Sequence, residues 1–89
     1  MRIITKIPLT FALETAIFLE KDNGEQETLA ISQIVNLDRD LSYFANLYNA
    51  NEICIIGNKE YAEAIQCDIQ YELINKYSNN NINITIQGE

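Results

Sequence analysis

Glu52-Ile53-Cys54-Ile55-Ile56-Gly57-Asn58-Lys59-Glu60-Tyr61-Ala62 passes from an unbroken apolar run into a helical repeat within a single turn. The run at 53–56 is short and mostly β-branched, with helical patterns on either side in sequence. That combination suits a parallel strand buried in a sheet. Gly57 and Asn58 then turn the chain. Asn58 is a good N-cap, since its side-chain oxygen can accept a first-turn N–H, and Glu60 and Glu63 sit near the positive helix end. The pattern predicts a helix from Lys59 to about Tyr77, with Glu72 and Lys76 as an i,i+4 ion pair.

Upstream, Leu37, Leu41, Phe44 and Tyr48 recur at helical spacing, widened by Ala45 and Leu47. This predicts an earlier helix capped by Asn36 or Asp38 and ending near Asn49. Asp38 and Asp40 complement its dipole. Downstream, Ser78-Asn79-Asn80-Asn81 forms a polar loop. Ile82, Ile84 and Ile86 then alternate with Asn83, Thr85 and Gln87 in a last strand.

The first third is all strand. Residues 2–7 form a strand stopped by Pro8, which cannot donate to a ladder. Residues 10–20 and 25–35 flank Asn23-Gly24, the strongest short-range hairpin signal, which predicts a two-residue type I′ turn. Such a turn pairs Phe18 with Leu29 and Ala16 with Ile31 on one face, and Leu19 with Thr28 and Ile17 with Ala30 on the other. Both faces are partly apolar, so a sheet covered on two sides is expected.

The element order is β-β-β-α-β-α-β, one α/β domain over residues 1–89 with a single mixed sheet. An antiparallel meander is followed by two helix–strand units with right-handed connections. This order is similar to the ribonuclease H-like arrangement. Were the resemblance functional, it would imply metal-binding carboxylates in the first strand and at the end of the first strand after the meander. Residues 2–7 carry no acid, and neither does Ile55-Ile56-Gly57-Asn58.

Other chemistry is equally thin. The chain has 89 residues, no His and a net charge of −7, with only six scattered basic residues. Phosphate-backbone binding relies on clustered Lys and Arg, so direct nucleic-acid binding is not expected. The acidity serves solubility or, more specifically, engagement of a basic partner in the manner of a nucleic-acid mimic. Cys54 has no His base, and its apolar neighbours would raise its pKa, so a buried core thiol is expected. With Cys54 and Cys67 thirteen positions apart and no His, neither a metal nor a cofactor is expected. No export signal or membrane span is evident, which predicts a cytoplasmic protein with reduced thiols. Gly57 and Asn58, before a helix N-terminus, are either a weak ligand-binding turn or simply a strand-to-helix connection.

The long helix is the most informative segment. Tyr61, Ala62, Ile65, Ile69, Leu73 and Tyr77 share one broad face that should pack on the sheet. Ala64, Cys67, Tyr71 and Ile74 form a second apolar stripe on the opposite side, where the helix of a monomer normally carries charge. Either the first helix or a chain end covers this stripe, or it meets a partner, most simply a second copy across a two-fold axis. A chain this short buries only about 60–65% of its unfolded surface, and oligomerisation is a common remedy. The functional expectation is a non-enzymatic protein-interaction module, homo-oligomeric and bound to a further protein. Its size and its Ile- and Asn-rich composition suit a bacterial or phage accessory protein. The alternatives are a small-molecule-binding regulatory domain and an acidic inhibitor.

Overall fold

The computed structural model describes residues 1–8 and 13–88. Its elements are β1 (Arg2–Lys6), β2 (Glu14–Glu20), β3 (Gln26–Gln33), a 3₁₀ turn (Ile34–Asn36), α1 (Leu37–Leu47), β4 (Glu52–Ile56), α2 (Lys59–Tyr77) and β5 (Asn83–Gln87). The strand start expected at residues 10–12 lies outside the described residues. The strands form one mixed sheet in the order β3-β2-β1-β4-β5. β1 pairs antiparallel with β2 and parallel with β4, and β4 pairs parallel with β5. The meander followed by two helix–strand units is therefore the observed arrangement.

Both helices lie on the same face of the sheet and pack against each other. Ile3, Ile17, Leu19, Ile53 and Ile55 from the strands join Leu37, Leu41, Ala45, Ala62, Ile65, Ile69 and Leu73 from the helices in one buried cluster. The polar groups on this side are satisfied. Thr5 donates to the Ala16 carbonyl (3.1 Å) and Thr15 to that of Lys6 (2.7 Å), while the single hydrogen of buried Ser42 is shared between the Arg39 carbonyl (2.9 Å) and Glu72 Oε2 (3.1 Å).

The expectation of cover on both faces is corrected. Ile4, Ala16, Phe18, Ile31, Cys54 and Ile56 share the other face by register, and no helix among the described residues lies over it. Ile4 and Cys54, on interior strands of the sheet, are nevertheless buried. Ile31, near the sheet edge, is 61% exposed. Alternation therefore reports two apolar faces correctly but does not reveal how each is shielded.

The hairpin turn also differs. Gly24 N–H donates to the Lys21 carbonyl (2.9 Å), and Lys21 N–H to that of Glu25 (2.8 Å), enclosing Asp22, Asn23 and Gly24. Only Gly24 has positive φ (88°), whereas a type I′ turn needs it at both centres. The extra loop residue moves Phe18 opposite Thr28 and Leu19 opposite Glu27. An irregularity between Ile17 and Phe18 then restores the expected pairs Ile17–Ala30 and Ala16–Ile31. The inserted residue, Leu29, packs against the core instead of pairing with Phe18.

α2 has the expected limits. Asn58 Oδ1 accepts from Tyr61 N–H (3.1 Å), and Ser78 closes the helix in the left-handed region at φ 51°. Tyr61 leaves the expected core face and is 40% exposed, whereas Tyr77 packs against the core. Glu72 turns to Ser42, and Lys76 stands over the Tyr77 ring, 5.8 Å from its centroid. At α1, Asn36 holds the N-cap position without a side-chain capping bond, since a 3₁₀ turn already leads into the helix.

Gly57 has φ 152°, and a Cβ there would lie 3.0 Å from the Ile7 carbonyl oxygen and 3.1 Å from Ile7 Cβ. Its place is dictated by this close approach and by conformational freedom. Gly57→Ala should lower unfolding free energy by about 1–3 kcal/mol, measured as a reduced urea midpoint with an unchanged m-value.

Candidate interaction surface

Four regions bear on function: the stripe on α2, the turn at its start, the cysteines, and the polar end of the open sheet face.

The stripe is exposed throughout. Ala64, Cys67, Tyr71 and Ile74 all lie on the solvent side of α2, with Tyr71 69% and Ile74 50% accessible. α1 contacts α2 along a different flank, through Ser42 and Glu72. Among the described residues, the stripe is thus left uncovered by its own chain. Tyr43 and Leu47 of α1 are also exposed, so the helical layer presents large apolar groups from both helices. Phe44 meets the Tyr43 ring edge-on (5.3 Å between centroids) and stacks on Tyr48 at the end of the helix (6.5 Å).

Gly57 and Asn58 are occupied by structural bonds. Gly57 N–H donates to the Gln87 carbonyl (3.0 Å), and Asn58 Oδ1 is taken by Tyr61. The two groups named in the sequence thus close the strand-to-helix turn. Cys54 is buried, with Sγ 3.9 Å from Gln87 Oε1, while Cys67 is exposed; both are free thiols. Among the described residues, no three His, Cys, Asp or Glu residues come together as a metal site. The carboxyl ends of β1 and β4 carry Lys6 and Ile56.

Sequence reasoning missed a side-chain network on the open face that draws one residue from each strand. Arg2 of β1 stands at its centre, with Nε 2.8 Å from Glu20 Oε1 of β2 and Nη1 3.8 Å from Glu52 Oε2 of β4. Gln26 of β3 donates to Glu20 (3.1 Å), and Thr85 of β5 donates to Glu52 (2.6 Å). The hydrogen bond between Arg2 and Glu20 raises the guanidinium pKa and holds the carboxyl below its ordinary 4.5. A single basic residue between two acids far away in sequence is the only signal that could have found it, and strand order was needed to read it.

Compared with known proteins, the chain matches no family model and no curated protein. No helix among the described residues is long and apolar enough to cross a membrane.

Because the Glu20 pKa is depressed on folding, its contribution is present above about pH 4.5 and is lost as pH falls through the folded value. Arg2→Met should therefore lower the Tm relative to the parent at pH 7, and the gap should close in acid. Thermal melts of both proteins between neutral pH and pH about 3 check this sign.

Proposed function

We propose that this protein is a non-enzymatic interaction module that acts as a homo-oligomer and docks on a further protein in the cytoplasm, as a bacterial or phage accessory protein. The observation that carries this reading is the exposed stripe Ala64-Cys67-Tyr71-Ile74 on a chain of net charge −7. Contiguous exposed apolar surface is characteristic of contact sites in soluble proteins. Tyr71 suits such a site, since it offers a large area at a small cost in side-chain entropy. Two acidic copies repel one another, so contact is favoured where charge is sparse, and the stripe is neutral.

Support for an enzyme is weaker. The positions where a nuclease of similar element order would hold its carboxylates, in β1 and at the end of β4, carry no acid. Support for a ligand site at Gly57 and Asn58 is weakened by the bonds that already engage both.

Sedimentation equilibrium tests the reading. The parent should sediment at twice its 10.2 kDa chain mass, and Tyr71→Glu should weaken association by about 100-fold. Tyr61→Glu, on another flank of α2, should leave it unchanged. A parent that stays at the single-chain mass at high concentration removes the proposal.

A further inference from the structure

The two edges of the sheet are built differently. β3 carries Glu27, ion-paired with Lys21 (3.4 Å), and is irregular beside Ile17 and Phe18. Charge and bulging are both devices that discourage another strand from adding to an edge. β5 has neither. Its residues Asn83-Ile84-Thr85-Ile86-Gln87 carry no charge and no proline, and their outer side pairs with no strand among the described residues.

The direction of the free backbone groups follows from the bonds already made. Asn83 N–H donates inward to the Asn51 carbonyl, and the Gln87 carbonyl accepts inward from Gly57, each at 3.0 Å. Alternate residues of a strand address opposite neighbours. Ile84 and Ile86 therefore turn their N–H and C=O groups outward. One of these four groups is engaged: the Ile84 carbonyl accepts from Gln66 Nε2 of α2 (3.0 Å), and a carbonyl can accept a second bond.

We infer that β5 pairs antiparallel with β5 of a second copy across a two-fold axis at Thr85, joining the two sheets into one. This rests on the homo-oligomer reading above and gives it a geometry. The segment is nearly symmetric about Thr85, with amide, Ile, Thr, Ile, amide in order, so it is its own complement when reversed. Asn83 meets the second copy's Gln87, Ile84 meets Ile86, and Thr85 meets Thr85. Ile84 and Ile86 exchange their outward groups in hydrogen-bonded pairs, and their side chains stay together on the helix-covered side. The charge balance selects the same place, because a five-residue neutral edge lets two copies of charge −7 approach with little direct repulsion. A short strand alone falls below the roughly 800 Å² per partner of a standard interface. α2 borders the same edge: Gln66 places it over β5, while the stripe bearing Tyr71 and Ile74 lies on the side of the helix away from its buried face.

Cysteine crosslinking in the full chain tests the register, with Cys67→Ser removing the exposed native thiol and Cys54→Ala the buried one that sits beside Thr85 in the β4–β5 register. At the axis, Thr85 and its copy form a non-hydrogen-bonded pair with Cα atoms about 4.5 Å apart, within disulfide reach. Asn83 and its copy are about 14 Å apart along the strands, beyond it. Under diamide, Thr85→Cys should become a covalent dimer and Asn83→Cys should not. Ile86→Pro removes no backbone bond to β4, only an outward N–H together with part of the Ile86 packing on the core, so far-UV circular dichroism should be retained while association weakens at least about 100-fold. Equal crosslinking of the two cysteine variants, or none in either, overturns the edge pairing. If neither crosslinks while the parent sediments as a dimer that Tyr71→Glu dissolves, the edge pairing falls and the α2 reading stands. A monomeric parent overturns both.

Discussion

Both crossovers of this fold advance across the sheet toward the same edge, from β3 over to β4 and then from β4 to β5. Right-handed connections that move in one direction place their helices on one face. That constraint gives the protein its two-layer form. One face of the sheet is dry and packed against α1 and α2, and the other has no helical cover among the described residues. The chain stabilises each face by different chemistry. On the covered side, Ile, Leu and Ala side chains interdigitate and every buried polar side-chain atom among the described residues has a partner. On the open side, Ile4 and Cys54 lie buried on interior strands, and Arg2 links all five strands at one end through Glu20, Gln26, Glu52 and Thr85.

The same constraint determines what remains available for contact. With the helices side by side on one face, their inner sides are spent on the sheet and on each other. The outer side of α2 carries apolar groups where a monomer would carry charge. The final strand, reached by the second crossover, lies at an edge without the charge or irregularity that guards β3. The neutral stripe lies on the outer side of α2, and the neutral edge runs beside the flank of α2 that carries Gln66.

Local and tertiary information separate clearly along the chain. The limits of α2 were legible because capping by Asn58 and apolar spacing act within a few residues. The element order was legible for the same reason. The turn at Asn23-Gly24 was not, although its sequence is a strong signal. A two-residue and a three-residue loop both satisfy Gly24, and the choice depends on Leu29, which enters the core only when an extra residue is accommodated. Tyr61 shares the broad apolar arc of α2, yet it lies at the margin of the face that buries Ala62, Ile65, Ile69 and Leu73 and stays exposed.

By itself, the sequence determined which segments are strands and helices, the burial of one side of α2, and the acidity that opposes close approach of two copies. These depend on neighbours within about one helical turn and on composition. Tertiary structure alone decided the strand order, the one-sided cover, the five-strand network around Arg2 and the exposure of Tyr71 and Ile74. Each of those joins residues distant in the chain, and no periodicity records which distant partner will arrive at a given face.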